Sequence, residues 1–97
     1  MRWARLAADL KAAGFDVRVD ENRYQGGVSR SVTYPVKGKG LVCVTDAMWS
    51  KNLDVWLGYQ VTAEGADSII IGRPGRPSKK RSETVAMFRL ALANVEG

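Results

Sequence analysis

Apolar residues near the two ends of the chain recur with the period of an α-helix. The first stripe is followed by Gly14, a typical residue at a helix C-terminus. It consists of Trp3, Leu6, Ala7, Leu10 and Ala13. The second stripe consists of Val85, Phe88, Leu92 and Val95. The spacing predicts one helix over residues 2–13 and another from Ser78 or Ser82 to Val95, because either serine is a good N-cap.

Between the two helices the period changes to two, which is typical of strands with one buried face. The pattern predicts five strands, over residues 15–20, 28–36, 41–45, 55–61 and 68–71. Residues 21–27 are predicted as a loop, and residues 46–52 as a loop or a helical turn. Short links between successive strands favour antiparallel pairing.

Two positions refine this prediction. Pro35 has no backbone N–H to donate, so the second strand is expected at a sheet edge. In the fourth strand Trp56 alternates with the apolar residues Leu57 and Tyr59. It therefore shares a predicted sheet face with Gly58 and Gln60. Since alternate residues face opposite sides of a sheet, Trp56 is expected on a solvent or partner surface.

The order of elements predicts an α+β fold. Two amphipathic helices need one shared apolar surface, so we expect both on one face of a mostly antiparallel sheet of about five strands. The result is a two-layer sandwich of order αβββββα. A chain of 97 residues favours a single domain, 1–97.

Positive charge is concentrated in one short segment. The chain has 15 Lys+Arg and 10 Asp+Glu, a net charge of +5. Residues 73–81 contain no acid and carry five of the basic residues, without which the chain would be neutral. They are Arg73, Arg76, Lys79, Lys80 and Arg81. A cluster of this kind is typical of a phosphate-binding surface.

The position of these cations is unfavourable for a helix. If Ser78 is the N-cap, the first turn holds Lys79, Lys80 and Arg81, where the helix dipole is already positive, and each costs roughly 0.3–1 kcal/mol. If Ser82 is the cap, Glu83 is favourably placed and these cations lie just upstream. Backbone amides, dipole and cations together suit a phosphate. We therefore expect nucleic-acid binding through residues 73–81, by phosphate contacts with little sequence readout. A solvated basic loop that only increases solubility has the same composition.

Residues 68–92, "SIIIGRPGRPSKKRSETVAMFRLAL", resemble the C-terminal part of double-stranded-RNA-binding domains. In that family a strand leads through a glycine-containing turn into Ser-Lys-Lys, which opens the last helix and grips phosphates. The resemblance implies this role for Ser78, Lys79 and Lys80. The chain also resembles small uncharacterised actinobacteriophage proteins, in "ENRYQGGVSRSVTY" and "SKKRSETVAMFRLAL". That resemblance implies a bacterial host cytoplasm and no particular activity.

The alternative is a protein-interaction module, such as a phage protein that acts on a host protein. Its contact would be Trp49, Lys51 and Trp56 with a sheet edge, since exposed tryptophans are favoured interface anchors. The same indoles could instead close the rim of the core. A homodimer through the sheet face or edge is compatible with either function.

Catalysis is not expected from this sequence. It has no histidine, and no Cys, Asp and Glu residues have metal-ligand spacing, so we predict no enzyme, no metal and no cofactor. Cys43 lies within a predicted strand and is expected to be an inert thiol. One cysteine favours a reducing cytoplasm. The longest uncharged run, Val55 to Ala63, is too short for a membrane span.

Overall fold

The computed structural model describes residues 2–24, 27–49 and 52–97. A helix precedes and a second helix follows an antiparallel sheet of five strands, which confirms the predicted α+β fold of order αβββββα. The helices are α1 (Arg2–Ala12) and α2 (Arg81–Glu96). The strands are β1 (Arg18–Tyr24), β2 (Gly27–Val36), β3 (Gly40–Trp49), β4 (Asn52–Gly65) and β5 (Ile70–Gly72).

The strands are ordered β1-β2-β3-β4-β5, so each strand pairs with its neighbours in sequence. The register places Val32 beside Val44, and Val44 beside Val61, on one face. Each of these three valines is 0% exposed. The β-branched residues of the central strands therefore form the floor of the core.

Both helices cover this same face. Trp3 of α1 meets Tyr59 of β4 edge to face, with ring centroids 5.1 Å apart. Phe88 of α2 meets Tyr34 of β2 at 5.7 Å. Buried residues of both helices and of the strands form one hydrophobic cluster. No described helix is long and apolar enough to cross a bilayer.

The described residues of both predicted loops belong to strands. β1 spans Arg18–Tyr24 rather than residues 15–20, and β3 continues through residues 46–49. Pairing with the adjacent strand holds these polar stretches extended, although they lack clear alternation. Residues 25–26 and 50–51 lie outside the described part of the chain, and Lys51 is among them.

Pro35 does not mark an edge strand, because β2 lies between β1 and β3. β1 begins at Arg18, opposite Thr33, so it does not extend as far as Pro35. Pro35 pairs only with Leu41 of β3. A residue without an N–H is tolerated here because its outer side has no neighbouring strand.

The expected orientation of Trp56 is also wrong. Ala47 pairs with Gly58 and Met48 pairs with Trp56, which leaves Leu57 as the extra residue of a β-bulge. A bulge reverses the parity of the residues beyond it. Trp56 consequently lies on the same side as Tyr59, is partly buried and packs against the core, whereas Leu57 is 41% exposed.

Candidate functional site

The bulge in β4 is followed by a close contact with the segment that leads into α2. Tyr59 donates its N–H to the Ser78 carbonyl at 2.7 Å, and its own carbonyl accepts the Ser78 N–H at 3.0 Å. Gly58 is buried with a φ of +130°, and a Cβ there would overlap the Ser78 backbone. Only glycine combines this conformation with this close approach, so Gly58 is what allows the start of α2 to lie against β4.

The start of α2 is organised differently from the prediction. Lys80 occupies the N-cap position and provides no side-chain cap, so neither Ser78 nor Ser82 is the cap. The Ser78 hydroxyl nevertheless accepts the Lys80 N–H at 3.1 Å and donates to the Glu83 carboxylate at 2.6 Å. A serine two residues ahead of the cap thus fixes the first turn.

Arg2 opens α1 directly above the bulge. Its guanidinium carbon lies 4.0 Å from the centre of the Trp56 ring, within cation–π distance. The Trp56 indole N–H donates to Asp46 at 2.7 Å, and the same carboxylate oxygen is 3.6 Å from Arg2. Asp46 therefore holds both the indole and the guanidinium in place.

The starts of the two helices and the bulge surround a cavity of about 430 Å³ that is open to solvent. Four cations and two aromatic rings line it. Two of the cations belong to α1, one precedes α2 and one is the first residue of α2. The lining residues are Arg2, Arg5, Trp56, Tyr59, Lys79 and Arg81. We call this cavity the cationic pocket.

Two of the four cations are paired with acids and two are not. Arg81 Nε lies 2.9 Å from an Asp9 oxygen, an ion pair that joins α2 to α1, and Arg2 is paired with Asp46. Arg5 and Lys79 are exposed and make no ion pair with the described residues. The pocket thus presents two positioned guanidiniums and two cations available to an anion.

Tyr59 forms the buried wall of the pocket at 1% exposure. Burial raises the pKa of its phenol; the carboxylates of Asp46 and Asp9 act in the same direction, and the cations Arg2 and Arg81 oppose them. The neutral hydroxyl donates to the Arg2 carbonyl at 3.2 Å. Tyr59 therefore anchors the first residue of α1 to the sheet.

Cys43 lies elsewhere, on β3. Burial, reinforced by the charges of Glu64 and Asp20, raises the pKa of its thiol to about 11. The thiolate needed for nucleophilic chemistry is therefore scarce at neutral pH.

The structure divides the basic segment of residues 73–81. Lys79 and Arg81 line the cationic pocket, whereas Arg73 and Arg76 are exposed outside its lining. Lys80 points to Glu83, with 3.8 Å between its ammonium nitrogen and the carboxylate.

Sequence reasoning missed Arg2 and Arg5. A signal was present, because both arginines fall near the start of a clearly periodic helix, at the end where cations are unfavourable. Of the residues considered for protein interaction, Trp56 lines the pocket. Trp49 ends β3, and its side chain lies outside the described part of the structure.

Comparisons with known proteins do not assign the chain to a family. No protein-family model matches the chain, and neither a curated protein nor a solved structure matches it. The resemblances noted from the sequence therefore remain predictions, and function is argued from the pocket.

Proposed function

We propose that this protein binds nucleic acid and that the cationic pocket is its principal phosphate contact. The observation that carries the proposal is the convergence of Arg2, Arg5, Lys79 and Arg81 around Trp56 and Tyr59. Cations next to an aromatic ring are the combination that binds a phosphate together with its attached base.

The energetic cost of this arrangement supports the proposal. Both helix starts direct a positive dipole end and unsatisfied amides toward cations, and the four cations also repel one another. Such a cluster is unfavourable in the unbound protein and becomes favourable when an anion enters. Nucleic-acid phosphates provide that anion, and their binding would depend strongly on salt.

Two double variants with the same charge change test the pocket. Arg5→Gln with Lys79→Gln removes the two cations that lack acidic partners among the described residues. Arg73→Gln with Arg76→Gln removes two exposed cations outside the lining. Fluorescence polarisation with single-stranded and duplex DNA and RNA, at about 50 mM salt where phosphate contacts are strong, gives the affinities.

The pocket variant should bind about tenfold or more weakly than the parent, because each charge-assisted hydrogen bond contributes roughly 1.5–3 kcal/mol. Its log–log salt slope should also fall by about 0.7–0.9 for each phosphate that the variant no longer neutralises. The control variant should weaken much less. Equal weakening would show that binding follows net charge alone, and absence of binding by the parent would exclude nucleic acid.

An exposed apolar surface favours the alternative, a protein-interaction module. Near the end of the β3–β4 pair, Met48 is 37% exposed and Val55 and Leu57 are each 41% exposed. Separately, the outer strand β5 exposes Ile70 and Ile71, at 48% and 50%. Exposed apolar patches frequently mark protein contacts.

This alternative has a separate test. A bacterial protein captured by the parent should be lost with Val55→Lys and Leu57→Lys and retained with Arg5→Gln and Lys79→Gln. Sedimentation velocity of the same variants would report whether the partner is a second copy of the chain. Capture that is insensitive to the lysines would reject this surface.

A further inference from the structure

The shape of the cationic pocket restricts what it can hold. A volume of about 430 Å³ lies in the range of roughly 300–1,000 Å³ typical of small-molecule sites. Its walls come from α1, from the start of α2 and from the bulge in β4, and it is open to solvent on its remaining side. This volume is of the size needed for one nucleotide unit, so a single terminal unit can fill the pocket.

The charge of the pocket is a second restriction. Its four cations are offset by the carboxylates of Asp9 and Asp46, which leaves two positive charges. The adjacent Lys80–Glu83 pair adds none. A phosphate monoester carries about −1.5 to −2 at pH 7, whereas a backbone diester carries only a single negative charge. The residual charge therefore matches a monoester.

The donors are arranged for an anion with several accessible oxygens. Arg5 and Lys79 come from different elements and make no ion pair with described residues, so they can approach one phosphate from two sides. Arg2 and Arg81 are held by their carboxylates before any ligand arrives. A terminal phosphate has three accessible oxygens for these donors.

The aromatic side of the pocket indicates what the phosphate is attached to. Trp56 lines the cavity beside the cations and is fixed by its 2.7 Å hydrogen bond to Asp46. Because Arg2 lies over its ring at 4.0 Å, the indole offers to a sugar or a base next to the phosphate only the apolar surface that Arg2 and the core leave accessible. A nucleotide has this combination of groups, whereas a phosphoserine or phosphothreonine side chain supplies only the anion.

We propose that the cationic pocket recognises the phosphomonoester of a terminal nucleotide, that is, the phosphorylated end of a single strand. This inference rests on the proposed nucleic-acid binding and adds which part of the polymer occupies the pocket. Arg5 and Lys79 bind the terminal phosphate, and Trp56 contacts the nucleoside that carries it.

The test compares strand ends at constant sequence. Single-stranded 12-mers labelled at the opposite end would carry a 5′-phosphate or 5′-hydroxyl, and a second pair a 3′-phosphate or 3′-hydroxyl. A 13-mer with a hydroxyl end controls for added charge, because it gains one ordinary diester. The parent should bind one phosphorylated end at least about tenfold tighter than its hydroxyl counterpart, which corresponds to one or two charge-assisted hydrogen bonds.

The variants then assign the preference to the pocket. Arg5→Gln with Lys79→Gln should reduce the ratio between phosphate and hydroxyl ends to about one, while Arg73→Gln with Arg76→Gln leaves the ratio unchanged. Equal binding of both ends by the parent would overturn end recognition and leave nucleic-acid binding standing. Absence of binding to every oligonucleotide would overturn both proposals.

Two competitors distinguish the sources of the same chemistry. A free nucleoside monophosphate that displaces the 12-mer at equal concentration would show that the ligand is the nucleotide itself and not a strand end. A phosphoserine peptide that competes equally well would exclude nucleic acid as the preferred class. The proposal expects the oligonucleotide to compete best, because only it occupies the pocket and continues along the protein surface.

Discussion

At the scale of single residues, burial keeps two ionisable groups uncharged. Cys43 has its pKa raised to about 11 by burial and by nearby carboxylates, and burial also raises the pKa of Tyr59. For Tyr59 the cations Arg2 and Arg81 oppose the rise in pKa but do not cancel it. Ionisation of either group is therefore less favourable in the folded than in the unfolded chain, so alkaline pH should lower the stability.

The pH dependence of stability follows from these shifts. A group whose folded pKa is raised gives its full contribution below the unfolded pKa and loses it as the pH rises through the folded value. For Cys43 this interval runs from about 9 to about 11. The free energy of unfolding should therefore fall across it, and Tyr59 should deepen the fall.

Urea unfolding of the parent and of Cys43→Ala at pH 8, 9, 10 and 11 measures this effect. The alanine variant should start lower, because it loses buried volume, but it should decline less steeply. Parallel curves for the two proteins would mean that the thiol makes no contribution to the alkaline loss of stability.

At the scale of elements, the bulge in β4 connects the fold to the candidate site. It turns Trp56 to the side of Tyr59, and Gly58 lets the Ser78 backbone pair with Tyr59. This pairing attaches the segment before α2 to β4, so that Lys79 lines the same pocket as Arg5. The bulge is therefore a determinant of the pocket as well as of the sheet.

Gly58→Ala should destabilise the protein by about 1–3 kcal/mol, since a Cβ meets the Ser78 backbone at a φ of +130°. Gly14→Ala is the control, because Gly14 has a positive φ closer to that of Gly58, +99°, but nothing within 4 Å of its Cβ position. Urea unfolding of both variants separates strain from overlap. Equal destabilisation would show that the approach of Ser78 contributes nothing beyond backbone strain.

At the scale of the whole molecule, positive charge is concentrated at one site, an arrangement expected to lower the stability of the unbound protein. Like charges from the two helix starts converge on one cavity, and two ion pairs, Asp9–Arg81 and Arg2–Asp46, only partly offset them. Exposed ion pairs contribute at most about 1 kcal/mol each. The unbound protein should therefore gain stability when pocket cations are removed.

Arg5→Gln with Lys79→Gln should raise the free energy of unfolding by about 0.5–1 kcal/mol at low salt, because two cations leave the positive ends of helices. The gain should shrink as salt screens the charges. Thermal unfolding at about 20 mM and 500 mM NaCl provides the comparison. A variant less stable than the parent at both concentrations would mean that these side chains support the fold.

The sequence by itself determined the class of fold. Helical stripes at the two ends and alternation between them were enough for two helices, five strands and their shared face, because burying apolar surface dominates both patterns. The concentration of charge in residues 73–81 was equally visible, as was the conflict between cations and a helix start. These features depend on local spacing, which the sequence displays directly.

Tertiary structure alone decided which residues meet. The bulge that redirects Trp56 depends on pairing with β3, and Pro35 is accommodated because β1 starts too late to reach it. Arg2 and Lys79 are far apart in the chain, and they line one pocket only because α1 and the start of α2 both lie against β4. Contacts between distant segments depend on how the sheet pairs and packs, and no local pattern of residues records them.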